Sequence, residues 1–406
     1  MLNRDIYRGL WADLAADKAM IFLAGPRQAG KTTLAKSIAE DFPDHLYFNW
    51  DQREDRARLL KDPRFFRTMP RKSSGHPLIV FDEIHKYRHW KNYLKGIYDE
   101  FSGEFRFLVS GSGRLDLYQR GGDSLAGRYL LFHLWPLVMT EFRESPRSIE
   151  SWLADPLSLA PDHEHLQTIW SKLQAFGGFP EPFVNAKERS WRRWSQTYHR
   201  QLLREDMRDV GGLSNVLGAE DLFSLLPERV GSPLSMNSLA GDIGVSPHTV
   251  KKWIELFDRF FLSFRLSPWT GKLARAITKE KKLYLFDSPL VSDEGRRFEN
   301  AVALELNRAV HTWSELGHGD YSLHYVRNKE KQEVDFLIVR DRKPLLLVET
   351  KLSERSAASS LLKLQAQLGV PAVQLFSKGE GTFKRWSNNG LDVMIAPAWR
   401  WLVQLP

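Results

Sequence analysis

Gly25-Pro26-Arg27-Gln28-Ala29-Gly30-Lys31-Thr32 follows an apolar run and opens a helical, Ala/Leu-containing pattern, the context in which a chain wraps a phosphate. The glycines let main-chain N–H groups and the positive helix end face the anion. Lys31 reaches the outer phosphates, and Thr32, with Thr33 behind it, offers a hydroxyl to Mg²⁺. Further on, Leu78-Ile79-Val80-Phe81 is an apolar strand that ends in Asp82 and Glu83. Asp82 is expected in the Mg²⁺ shell and Glu83 beside the water that attacks a γ-phosphoryl group in line. The expected ligands are therefore ATP and Mg²⁺, held by residues 25–33 and Asp82.

Two further residues fit that chemistry. Ser110, at the end of Phe105-Arg106-Phe107-Leu108-Val109, is a candidate polar sensor of the γ-phosphate, or a plain Ser-Gly turn. Arg128, after Gly121-Gly122-Asp123-Ser124-Leu125-Ala126-Gly127, is a candidate arginine finger for a neighbouring subunit, with Arg114 as rival and an ordinary surface arginine as the alternative.

A second constellation lies near the C-terminus. Glu299 sits in a helical run, Asp335 starts an apolar strand, and Leu345 to Val348 lead into Glu349-Thr350-Lys351. Strand alternation puts Glu349 and Lys351 on one face. Hard carboxylate oxygens suit Mg²⁺, and cleavage of a phosphodiester needs charge neutralisation and an activated water. The spacing resembles the restriction-endonuclease-like fold, and that resemblance implies Asp335 and Glu349 as ligands and Lys351 acting on the water, with Glu299 completing or orienting the shell. A strand end that merely carries charge is the alternative.

Between these sites, Asn237 to Pro247 reads as helix, tight turn and new helix, with Ser246 as N-cap and Pro247 in the first turn. Val250, Trp253, Ile254, Phe257, Phe260 and Phe261 repeat at helical spacing and predict a buried stripe, which leaves Lys251, Lys252 and Arg259 elsewhere. Lys272, Arg275, Lys279, Lys281 and Lys282 precede and enter a β-prone run, as a wing would. Lys251, Lys252, Lys272, Arg275 and Lys279 are the candidate nucleic-acid contacts. A lid or packing module is the other reading.

The elements that must position these residues begin with β-like runs at Met20–Ala24, His45–Asn49, Leu78–Phe81, Phe105–Val109 and Tyr129–Leu134, alternating with amphipathic segments, which predicts a parallel α/β sheet. The chain reads as 1–140, a helical 141–223 with breaks at Gly177-Gly178 and Gly211-Gly212, a helix-turn-helix segment 224–292, and an α/β segment 293–406. With 406 residues, 42% hydrophobic and 27% charged, disorder and a single small module are excluded. Zero cysteines exclude disulfides, thiolate catalysis and zinc fingers. A net charge of +8 admits polyanions, DNA among them. The longest apolar run, Leu130 to Met139, is broken by His133 and Pro136, and the N-terminus lacks signal-peptide order; a cytoplasmic protein without membrane partners is expected.

Gly25 to Thr33, Phe81-Asp82-Glu83-Ile84-His85, Ser124 to Arg128 and Leu134-Trp135-Pro136-Leu137 together resemble prokaryotic AAA-type P-loop ATPases fused to a C-terminal domain of unknown function, over residues 1 to about 350. The resemblance implies an AAA-like core and admits homo-oligomers up to a hexameric ring. The middle segment resembles a winged helix, and Glu299, Asp335, Glu349 and Lys351 resemble the restriction-endonuclease-like, PD-(D/E)xK, pattern. Three functions follow: an ATPase that remodels or translocates DNA, branched or forked forms included; an ATP-driven switch acting through protein partners, with an inactive nuclease-like domain; and a Mg²⁺-dependent nuclease gated by the ATPase. The first is the expectation, with cleavage as an accessory activity.

Overall fold

The computed structural model describes residues 4–111, 125–143, 145, 147–209, 213–270, 280–353, 356–378, 382–388 and 390–406. Gly211, Gly212, Ser112, Arg114, Gly121 to Ser124, Lys272, Arg275 and Lys279 therefore lie outside the described residues. The chain forms two compact units, Met1–Trp135 and Pro136–Pro406.

The first unit holds strands β1 (Met20–Ala24), β2 (His45–Asn49), β3 (Leu78–Asp82), β4 (Arg106–Ser110) and β5 (Leu130–His133) with helices α1 (Asp5–Asp17), α2 (Lys31–Glu40), α3 (Arg53–Lys61) and α4 (Trp90–Phe101). All neighbouring strands pair in parallel, in the order β2-β3-β4-β1-β5. Every residue of β1 and β3 is buried, which explains why both read as unbroken apolar runs rather than alternating ones. Phenylalanines fill one side of the sheet, Phe66 meeting Phe101 and Phe105 edge-on at 5.3 and 5.2 Å. Because β4 lies between β1 and β3, the ends of the phosphate-loop strand, the Ser110 strand and the Asp82 strand stand side by side.

The second unit starts with helices α5 (Ile149–Ala154), α6 (Glu164–Phe176), α7 (Pro180–Asn185), α8 (Glu188–Gln201), α9 (Val216–Leu225), α10 (Met236–Ile243) and α11 (Pro247–Arg259). There follow β6 (Ser263–Pro268), β7 (Lys282–Leu285), α12 (Glu294–Glu315), β8 (Tyr321–Arg327), β9 (Glu333–Arg340), β10 (Lys343–Ser353), α13 (Ser359–Leu368), β11 (Ala372–Lys378), β12 (Lys384–Asn388), β13 (Leu391–Pro397) and α14 (Ala398–Leu402). One eight-stranded sheet runs β12-β13-β11-β10-β9-β8-β6-β7.

The expected partition of this stretch into 141–223, 224–292 and 293–406 thus meets a single compact unit. The β-prone run that reads as a wing forms β7, which pairs with β6, and β6 joins the C-terminal sheet through Ser267 opposite His324 and Pro268 opposite Tyr325. The hairpin is also tied to α12, where the Asn300 amide accepts from the Leu285 N–H at 2.7 Å and donates to the Leu285 carbonyl at 2.8 Å. Both backbone groups of Leu285 are thereby satisfied by one buried amide of the long helix. Among the described residues no helix is long and apolar enough to cross a membrane.

Candidate functional site

At the end of β1 the chain turns through Gly25 at φ 130°, Gln28 at φ 58° and Gly30 at φ 99°, and Gly30 caps α2. A Cβ on Gly25 would lie 2.2 Å from the Leu134 carbonyl oxygen, whereas one on Gly30 would meet nothing within 4 Å. The loop is therefore pressed at its start against Leu134, just beyond β5, and open at the helix end, where an anion would sit. Gly25→Ala should destabilise the first unit by at least ~2 kcal/mol, read as a lowered urea midpoint, because neither the backbone angle nor the space admits a methyl group.

Pro26 and Ala29 are buried, Arg27 is half-buried, and Gln28, Thr32 and Thr33 are exposed. Lys31, 8% exposed, donates to the Gly25 and Pro26 carbonyls at 2.9 and 2.6 Å. Its ammonium thus lies folded over the loop. Arg4, far from the motif in sequence, braces the loop from behind, donating to the carbonyls of Ala29 at 3.1 Å and Trp135 at 2.8 Å.

Asp82 is the hub. Its Oδ2 accepts from the Thr32 hydroxyl at 2.8 Å and the Tyr47 phenol at 2.5 Å, and its Oδ1 accepts from the Ser110 hydroxyl. Burial, then the adjacent Asp82, pushes the Tyr47 pKa well above its ordinary value, so the phenol keeps its proton and remains a donor. Tyr47 carries no motif signature; it becomes legible only once β2 is known to pair with β3. Thr32 and Asp82 present hard oxygens side by side at the mouth of the loop, a donor pair that fits Mg²⁺ arriving with a polyphosphate.

Glu83 occupies the left-handed region at φ 55°, its N–H donating to the Ser110 carbonyl at 3.0 Å. Its carboxylate lies 3.0 Å from the Lys86 ammonium, which also meets Asp51 at 2.6 Å. Arg128 pairs through Nε and a terminal nitrogen with both carboxylate oxygens of Asp99 on α4, at 2.6 and 3.1 Å. In this arrangement it is engaged by its own chain.

The second constellation also assembles. Asp335 on β9 and Glu349 on β10 face each other, with the Asp335 N–H 3.3 Å from Glu349 Oε2, and the Lys351 ammonium donates to Glu349 Oε1. Thr350 donates its N–H and hydroxyl to Asp335 Oδ2 at 3.0 and 2.6 Å. Glu299, from α12, accepts from Tyr284 at 2.8 Å. Lys282, read from sequence as a wing cation, is instead buried here: its ammonium is 2.7 Å from Glu333, 3.3 Å from Glu299 and 3.6 Å from Asp335 Oδ1. Burial, then the Asp335 charge, raises Glu299 to about 7, and the same causes raise Glu349.

These residues do not fit the Mg²⁺ expected on Glu299, Asp335 and Glu349. The Lys282 ammonium already stands among Glu299, Glu333 and Asp335, where the ion would sit. A divalent ion on the same carboxylate oxygens would share the space with the Lys282 ammonium and be repelled by its charge. With Lys282 in place, no group of three or more His, Asp or Glu side chains among the described residues is arranged as a metal site.

In the middle of the second unit, α10 ends at Gly244, φ 68°, and α11 begins behind Ser246, whose hydroxyl accepts the Thr249 N–H at 3.1 Å. Val250, Trp253, Ile254, Phe257, Phe260 and Phe261 are buried, so Lys251 and Lys252 are exposed. The same helix contributes His248, Lys252 and Arg259 to a cleft of about 480 Å³.

Comparison with known proteins adds the following. Residues 17–143 match the AAA domain family, 167–293 a domain of unknown function, DUF8612, and 294–398 another, DUF4143. An uncharacterized protein of Mycobacterium tuberculosis is 25% identical over 86% of this chain and 76% of its own. One of Methanocaldococcus jannaschii is 22% identical over 87% and 80%. Among solved structures, a Walker-type ATPase of Pyrococcus abyssi aligns at 13% identity and TM-score 0.42, covering 75% of this chain and 96% of that one. The Aeropyrum pernix Orc1 protein, solved in complex with DNA, aligns at 15% identity and TM-score 0.31, covering 75% and 92%. The AAA match and the loop geometry support an AAA-type ATPase core in the first unit.

Proposed function

We propose that this chain binds ATP with Mg²⁺ at the loop 25–33 and hydrolyses it to act on DNA. The observation that carries the ATPase part is the convergence of Thr32, Asp82 and Ser110 on one point beside Lys31. Lys31 would leave the loop carbonyls for the outer phosphates, and the N–H groups at the start of α2 would cradle them. Thr32 and Asp82 would hold Mg²⁺, which when bound neutralises charge on the β- and γ-phosphates. Glu83 would orient and deprotonate the water whose oxygen attacks the γ-phosphorus as the bond to the bridging oxygen breaks, and Ser110 would contact the γ-phosphate. Arg128, released from Asp99, would serve a neighbouring subunit in a homo-oligomer, so finger action and the Asp99 pair exclude each other.

DNA is assigned to the exposed face of α11 on the strength of Lys251 and Lys252, the cleft beside them and the net charge of +8. Wild-type protein should hydrolyse ATP faster with forked duplex than without. Lys251→Glu combined with Lys252→Glu should weaken duplex binding about tenfold or more and flatten the plot of log affinity against log salt by about 2. A wild-type affinity that ignores salt would remove DNA from the proposal and leave the ATPase standing.

The second reading is an ATP-driven switch read by a protein partner. It expects nucleotide-dependent oligomerisation without salt-sensitive DNA binding. Metal-dependent cleavage forms no part of the proposal, because the Lys282 ammonium occupies the place between Glu299 and Asp335 that the ion would take.

A further inference from the structure

We propose that Lys282 is the resident cation of the acidic cluster, its ammonium standing where a divalent metal would otherwise bridge Glu299 and Asp335. Three carboxylates brought by two elements, Glu299 from α12 and Glu333 and Asp335 from β9, surround the nitrogen within 3.6 Å. The Lys282 side chain is only 2% exposed, so it cannot swing out to admit an ion without opening the sheet edge. Its position is set from several directions: β7 pairs with β6, Leu285 is locked to Asn300, and the Lys282 ammonium lies 5.5 Å from the Tyr325 ring centre. Tyr284, two residues on and therefore on the same face of β7, donates to the same Glu299 oxygen that Lys282 meets.

Chemically, a lysine ammonium is a compact point charge with three donors, and it can meet three carboxylate oxygens as a small metal ion does. It differs in being covalently fixed, in lowering no water pKa and in requiring no supply of metal. The cluster is then a brace joining hairpin, long helix and sheet, and its cation travels with the sequence. This inference concerns the second unit alone and is independent of nucleotide chemistry in the first.

Mn²⁺ titration of the full chain without nucleotide, followed by electron paramagnetic resonance, tests it. Wild type should bind no Mn²⁺ that Asp335→Asn removes. Lys282→Met, which keeps the length of the side chain and deletes the charge, should gain one Mn²⁺ per chain, lost again when Asp335→Asn is added. Should Lys282→Met be unfolded in metal-free buffer, recovery of its melting transition by Mn²⁺ supports the proposal and failure to recover overturns it. A wild-type Mn²⁺ site that disappears in Asp335→Asn, or a folded Lys282→Met that takes up none, also overturns it.

Discussion

Lys31→Ala should reduce ATP hydrolysis at least about a hundredfold and weaken ATP binding roughly ten- to a hundredfold. Loss of a charged hydrogen bond costs ~1.5–3 kcal/mol in binding, and further transition-state charge goes unneutralised. In the present structure the ammonium donates to the carbonyls of Gly25 and Pro26, so it is already at the loop and needs only to rotate onto phosphate. Removing it leaves two carbonyls beside an open mouth rather than a cavity in the core, and the fold should survive. The measurement pairs phosphate release with calorimetric titration of ATP, and far-ultraviolet circular dichroism confirms folding. Unchanged binding together with unchanged turnover would take the nucleotide site away from residues 25–33.

Glu83→Gln should separate binding from chemistry. The amide keeps the shape and can still accept a hydrogen bond from Lys86, yet it cannot take a proton from water, so turnover should fall about 10²- to 10³-fold while ATP affinity changes by no more than about threefold. The backbone supports this assignment. Glu83 sits at φ 55°, an unusual conformation for a non-glycine residue, and its N–H donates to the Ser110 carbonyl. Its carboxylate is now held by Lys86 and, through Lys86, beside Asp51. Single-turnover hydrolysis and equilibrium binding of ATP check the two halves of the expectation separately. If Glu83→Gln turned over at the wild-type rate, the water would be handled by another group.

The first unit was largely readable because its signals are local. A glycine loop between a strand and a helix, and a run of apolar residues ending in carboxylates, specify their own geometry within a few residues. All five expected strands appear within about a residue or two of their expected ends. What was not local was missed: Arg4 reaches Ala29 and Trp135 across the chain, and Tyr47 meets Asp82 only because β2 and β3 are neighbours. Neither has a spacing rule that could have announced it.

In the second unit the same distinction decides the chemistry. Periodicity placed the α11 stripe and the Ser246 cap, and alternation put Glu349 and Lys351 on one face, since both patterns depend on short-range geometry. Lys282 shows where that reach ends. In sequence it is one more cation in a basic stretch; in the folded chain, pairing of the β6–β7 hairpin with β8 and docking of α12 bury it among Glu299, Glu333 and Asp335. The amino-acid order by itself determined which groups are present, the phosphate loop and the local helices and strands. Tertiary structure alone decided which charges meet, because pairing between distant strands is set by the summed burial and hydrogen bonding of whole elements, and a buried carboxylate takes whatever cation that packing brings to it.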